Sequence, residues 1–230
     1  MKSVHNKQAK TAQFLGGNKK MRVVHSLIAC MTILFCSVGL NPTVSEAQRV
    51  THDPVIFVHG LGGNSTNFYF IKTYLKQQGW ADNELYAIEL VDKTGNSITN
   101  AKQLATYVDD VLKKTGKKKV DIIGHSAGGI NALTYILNTG GSKVSDVVTL
   151  GSPNRVITTK APVGTDPNRK ILYTSIYSTT DYITPYRLSI LDGAKNIQIS
   201  GVDHLGLVAS KKVNELIKAG LDGGGLNTNK

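Results

Sequence analysis

Six short runs of apolar, largely β-branched residues recur along this chain, and most are separated by stretches whose apolar positions have helical spacing. The runs are Pro54–His59, Leu85–Leu90, Val120–Gly124, Val147–Leu150, Ile171–Tyr177 and Asn196–Gly201. Between the second and third, Ala101, Leu104, Ala105, Val108, Val111 and Leu112 share one helical face that closes at Gly116. Phe68, Ile71, Tyr74 and Leu75 repeat the pattern after the first run, and Val213, Leu216 and Ile217 mark a last helix. Ile130, Leu133, Ile136 and Leu137 do so after the third run, ending at Gly140-Gly141. A strand that is apolar throughout is buried on both faces, and parallel pairing needs a crossover of a dozen or more residues, usually a helix. The chain therefore reads as an α/β protein, a parallel sheet covered by helices on both faces. The glycine-rich end, Gly223–Lys230, reads as a flexible tail.

The first 47 residues are not expected to belong to that fold. Lys2, Lys7, Lys10, Lys19, Lys20 and Arg22 precede an apolar run from Leu27 to Leu40, followed by Pro42 and Val44-Ser45-Glu46-Ala47. This is the order of a secretory signal, with cleavage expected after Ala47 and a possible translation start at Met21. Fourteen residues fall short of the roughly 20 that span a bilayer, so no stable membrane anchor is expected. Leu27-Ile28-Ala29-Cys30 has the outline of a lipoprotein site, but His25 interrupts the few apolar residues before Cys30.

Residues 48–230 are then expected to be one secreted catalytic domain. Both cysteines, Cys30 and Cys36, lie in the leader, so the domain relies on its core and offers neither thiol nucleophile nor thiolate metal site. The formal charge of +11 is inflated by the leader, with its six cations and one acid. The remaining excess suits solubility or an anionic surface and does not argue for nucleic acid. Lys113-Lys114 and Lys117-Lys118-Lys119 sit where a helix ends, favoured there by its dipole.

Gly124-His125-Ser126-Ala127-Gly128 joins the third run to the helical stretch after it. A serine in that strand–turn–helix setting is a nucleophile elbow: the turn is tight, and glycines two residues before and after leave room for crowding backbone. A serine nucleophile needs a base to take its proton and an acid to orient that base. Four histidines remain after the leader. His52 precedes the first strand, His125 adjoins the serine and points away from it, and His59 belongs to a glycine-rich loop. His204 follows the last strand, at the carboxyl edge where parallel sheets assemble their sites. Asp146, Asp166 and Asp192 precede strands and so lie at the opposite edge. Asp181 follows the fifth strand, at the correct edge. Asp203 is also there, but a side chain can hardly reach the ring of its immediate neighbour, so Asp181 is preferred and Asp203 reads as a loop or capping carboxylate.

A developing oxyanion needs preorganised backbone donors. The amide of Ala127 at the helix start is one candidate, and that of Leu61, in His59-Gly60-Leu61-Gly62-Gly63, is the other. The same loop mimics a dinucleotide fingerprint with Glu89 or Asp92 as the ribose acid, but its third glycine position is Ser65.

The ordered set His59-Gly-Leu-Gly-Gly, Gly124-His-Ser-Ala-Gly, Asp166-Pro-Asn, Tyr173-Thr-Ser-Ile-Tyr, Asp181, Gly201-Val-Asp-His204 and Gly223-Gly-Gly resembles the small secreted Bacillus lipases over Thr51–Lys230. The resemblance implies a minimal α/β-hydrolase fold, a six-stranded, mostly parallel sheet without a lid domain. It also implies hydrolysis of acylglycerols and other esters without cofactor or metal, the triad Ser126, Asp181 and His204, and an oxyanion hole at Leu61 and Ala127. The best-known members carry Ala at the Gly124 position, Met at the Ala127 position and glycine at the Asp203 position, which puts chain-length preference and pH behaviour in question. The acyl wall is expected from Leu61, Tyr182, Ile183 and Leu205, in a shallow cleft favouring short-to-medium chains. The long irregular stretch Gly151–Lys170 is broken by Pro153, Pro162 and Pro167 and lacks the apolar stripe of a lid. The expected partner is a lipid or ester at an oil–water interface, met by a monomer. Other readings are a short-chain carboxylesterase or acyltransferase with the same triad, and a catalytically silent secreted binding protein.

Overall fold

A computed structural model describes residues 51–230; the expected leader and cleavage site lie outside them. The strands are β1 (Val55–Val58), β2 (Leu85–Ala87), β3 (Val120–His125), β4 (Val144–Leu150), β5 (Leu172–Ser178) and β6 (Lys195–Ile199), in the order β2-β1-β3-β4-β5-β6. Every pairing is parallel, with Phe57 opposite Ile123 and Thr149 opposite Ser175. The expected sheet is present, and its parallelism is complete.

The pleat sorts each strand onto two cores. Ile56, Val58 and Ile122 face Leu104 and Val108 of α2 (Ser97–Thr115) and Ala132, Leu133 and Ile136 of α3 (Ala127–Thr139). Val55, Phe57, Ile123 and Val148 face Ile71 and Leu75 of α1 (Tyr69–Gln77) and Val213 and Ile217 of α5 (Lys211–Ala219). A short α4 spans Tyr186–Ser189. The Asn96 side chain accepts from the amides of Ile98 and Thr99 to start α2, and Gly116, at φ 70°, ends it in the left-handed conformation a glycine enters without strain. Leu137, assigned to the buried face of α3 from its spacing, is exposed.

Two strand boundaries lie three residues from the expected ones, and the others within two. β4 begins at Val144, because Ser145 and Asp146 are polar but buried inside the strand. β2 stops after Ala87.

The end of the chain is not a flexible tail. Leu226 pairs with Tyr173 in an antiparallel bridge, Asn227 donates to Pro162 O and Ile171 O, and Thr228 N–H donates to Gly193 O. Backbone pairing and amide side chains hold it where glycine content alone suggested freedom. The Gly151–Lys170 stretch is likewise pinned, with Lys160 bridged to Asp192 and Asn154 Nδ2 donating to Ser189 O at 2.7 Å. Among the described residues no lid covers the carboxyl edge of the sheet.

Candidate active site

β3 runs into α3 through Ser126, whose φ of 56° and ψ of −128° make it the sole non-glycine residue with positive φ among those described. Its amide donates to Leu150 O at 2.9 Å and its carbonyl accepts from Gly129 N–H at 3.0 Å, so both neighbours hold it in that strained state. A Cβ on Gly128 would collide with the Val58 carbonyl, and one on Gly124 would lie 2.6 Å from the Cα of Gly129. Gly129 is a third obligatory glycine, pressed against Ser152; spacing around the elbow did not single it out.

His204 and Asp181 arrive from the loops after β6 and β5. His204 Nδ1–H donates to Asp181 Oδ2 at 2.7 Å, and both side chains are buried. The other carboxylate oxygen accepts from the amides of Ile183 and Thr184, each at 2.9 Å, which fixes the plane of the acid. Asp203 turns away and accepts from Gly206 N–H at 2.6 Å, a turn-capping role. Behind the pair lies Gly151, at φ 52°: a Cβ there would lie 2.8 Å from Asp181 Oδ2.

His125 does more than adjoin the serine. Its ring packs 4.7 Å from the ring of His204, and Nε2–H donates to His204 O at 3.0 Å. Burial, with the neighbouring His204 ring, lowers its pKa to about 4, so it supports His204 as a neutral donor. A residue set aside because elbow neighbours diverge thus reaches the next loop over. His59 is also committed: Nε2 accepts from Leu90 N–H at 3.1 Å, so Nδ1 carries the hydrogen donated to Gly60 O at 2.9 Å. His52 stacks on Trp80 and hydrogen-bonds Glu84, far down the sheet from this edge. Glu89 and Asp92, the would-be ribose acids, are engaged with Lys93 and Thr94.

Ser126 and His204 open into one cleft of about 310 Å³, whose walls include Leu61, Ile183 and Leu205 and whose floor includes Gly60 and His125. Those three apolar side chains are 68%, 68% and 66% exposed, an unusual concentration of wetted hydrocarbon for so small an opening. Asn67, which also lines the cleft, was not flagged by any motif. Tyr182 does not join the wall. The turn closed by Asp181 Oδ1 swings it outward to 90% exposure, where it lines a separate, shallower depression with Thr180 and Asp203. The amides of Leu61 and Ala127 have no protein acceptor among the described residues. Ala127 begins α3, so its N–H also carries the positive end of the helix dipole.

Among the described residues no group of three or more His, Cys, Asp or Glu could hold a metal ion, and no helix is long and apolar enough to cross a membrane.

Residues 52–172 match the model of the family described as Lipase (class 2). That stretch holds Leu61, Ser126 and Ala127 and stops short of Asp181 and His204. The chain is 33% identical over 119 residues to a triacylglycerol lipase of Pseudarthrobacter phenanthrenivorans and to one of Burkholderia plantarii; each alignment covers 48% of this chain. It spans about a third of the length of those relatives, 36% and 32%. The crystal structure of Bacillus licheniformis lipase BlEst2 in mature form superposes with a TM-score of 0.61 at 17% identity, over 74% of this chain and 92% of that one. At that identity the likeness speaks for the fold.

Proposed function

The chain belongs to the class 2 lipase family, and from that premise we propose that it hydrolyses carboxylic esters, acylglycerols among them, through an acyl-Ser126 intermediate. One observation carries this reading: the buried 2.7 Å pair of His204 Nδ1–H and Asp181 Oδ2, opening into the same cleft as a serine held at positive φ. With Nδ1 committed to Asp181, the imidazole is kept in the tautomer whose Nε2 accepts a proton. Ser126 Oγ attacks the ester carbonyl carbon while its proton passes to Nε2. The carbonyl oxygen becomes an oxyanion facing the amides of Leu61 and Ala127, each such donor typically being worth about 10²–10³ in rate. Collapse of the tetrahedral adduct expels the alcohol, which takes the proton from His204. Water then repeats the sequence on the acyl-serine and releases the acid.

The wall left by Leu61, Ile183 and Leu205 is short and open. Each extra methylene buried is worth about 0.8 kcal/mol, so a wall that buries few of them favours short-to-medium chains. The same exposed residues suit contact with a lipid surface. The basic leader and its apolar run support secretion of an enzyme that begins near Gln48. Because the cleft is open, an alcohol can replace water at the second step, which makes acyl transfer the accompanying side reaction.

The test is a p-nitrophenyl ester series from acetate to palmitate, together with a fluorophosphonate probe. The expected result is labelling at Ser126, lost in Ser126→Ala, and a rate maximum at butyrate to octanoate. Labelling of the Ser126→Ala protein at wild-type level would place the nucleophile elsewhere and overturn the reading.

A further inference from the structure

The loop that carries Leu61 contains Gly60, Gly62 and Gly63, and glycine backbone is the costliest to hold still. It is held from outside, by the segment that follows β2. Lys93 grips it twice: its carbonyl accepts from Gly62 N–H at 3.1 Å, and its ammonium donates to Gly63 O at 2.7 Å. The same ammonium pairs with Glu89, whose second carboxylate oxygen accepts from Ser65 N–H at 2.8 Å. Gln103 of α2 steadies the gripping segment, donating to Glu89 O at 2.8 Å and accepting from Val91 N–H at 3.0 Å.

The amides of the loop show what this accomplishes. Gly62 donates to Lys93 O, Gly63 to Gly60 O, Asn64 to Asn67 Oδ1 and Ser65 to Glu89. From Leu61 to Ser65, the Leu61 N–H is the one amide with no acceptor among the described residues. The four donors that follow it are spent on fixing the loop, which leaves the Leu61 amide free for a ligand. Neither Lys93 nor Glu89 lines the cleft. The Lys93 ammonium and the Ser65 amide hold the Glu89 carboxyl down at about 2, so it remains a carboxylate well below neutral pH.

We propose that the Lys93–Glu89 ion pair is a positioning device for the oxyanion hole, a strap that fixes the Leu61 amide without touching the substrate. This rests on the ester-hydrolase reading above. Loosening a preorganised donor weakens the transition state and leaves ground-state binding almost unchanged, so the strap should register in kcat and not in KM.

The experiment compares wild type, Lys93→Met, Lys93→Arg and Glu89→Gln on p-nitrophenyl butyrate, with butaneboronic acid as a tetrahedral mimic and thermal unfolding as a control on the fold. Lys93→Met should lose about tenfold or more in kcat with KM within about twofold, and boronate affinity should fall in proportion to kcat. Glu89→Gln should lose less, and Lys93→Arg should recover most of the rate. Wild-type kcat in Lys93→Met, or a rate loss that tracks unfolding while boronate affinity per folded molecule stays constant, would overturn the strap. If Lys93→Met does not fold, Glu89→Gln carries the same comparison, and unchanged kcat and boronate affinity there would refute it equally. Failure of the hydrolase reading itself looks different, since wild type would then show no ester turnover that Ser126→Ala removes.

Discussion

Ser126→Gly should make the protein more stable than Ser126→Ala, a reversal of the usual order. At an ordinary position Ala is favoured over Gly by about 0.4–1 kcal/mol, because glycine has more unfolded-state freedom to lose. Ser126 sits at φ 56° and ψ −128°, in a region that only glycine enters freely. Holding a Cβ there costs about 1–3 kcal/mol. Ala keeps that Cβ and the strain, whereas Gly releases it, so the net preference for Gly is about 0.5–2 kcal/mol. For a domain of this size that is a rise in Tm of a few degrees. Both variants lack the nucleophile, so neither comparison is confounded by turnover. Urea unfolding followed through Trp80, the only tryptophan and a buried one, reads the difference as a shift in midpoint at constant slope. A Ser126→Ala protein as stable as Ser126→Gly would mean that the elbow stores no strain, and the account of why its glycines are required would fall with it.

Asp181→Asn should lower kcat on p-nitrophenyl butyrate by about 10³–10⁴, because it presents the wrong partner to His204 Nδ1–H, whereas Asp203→Asn should cost a few-fold at most; equal losses would refute the assignment of the acid. Burial raises Asp146 from 3.8 to about 6, against the pull of Arg169. The folded state therefore binds that proton more tightly than the unfolded chain does, and the stability it contributes below about pH 4 is lost as pH rises through about 6. Asp146→Asn should consequently gain on the order of 1–3 kcal/mol in urea unfolding at pH 8 and nothing near pH 4; a gain equal at both would mean that the carboxyl is not the source. Rate against tributyrin concentration should climb smoothly through the solubility limit, since no lid waits to open, and a sharp jump at emulsion formation would contradict that.

The sheet and the gathering of Ser126, Asp181 and His204 at one edge were legible because strand direction alone decides which end of a run faces the site. Asp146 was correctly sent to the far edge even though β4 begins earlier than its apolar residues indicate. What escaped detection was long-range and polar. His125 reaches His204 only because β3 and the loop after β6 end side by side, and nothing local to Gly124–Gly128 reveals that neighbour. Tyr182, expected in the acyl wall, lies outside the cleft in a turn closed by Asp181 Oδ1 accepting from the amides of Ile183 and Thr184. Gly129 is needed because Ser152 lies against it, and the ordered end of the chain depends on Asn227 and Asn229 finding carbonyls in distant loops. Contacts of this kind leave no periodicity to read.

β6 has a neighbour on one side only, β5, and its burial alternates along its length. Like β2 at the opposite edge it is open to fraying, and the loop it feeds carries His204. Local opening there would carry the imidazole away from Asp181 while β1, β3 and β4 remain intact in the middle of the sheet. Heat should therefore silence this molecule before it melts it: amide exchange in Ile197 and Ile199 would quicken, and turnover would fade reversibly, at temperatures where Trp80 still reports a native core.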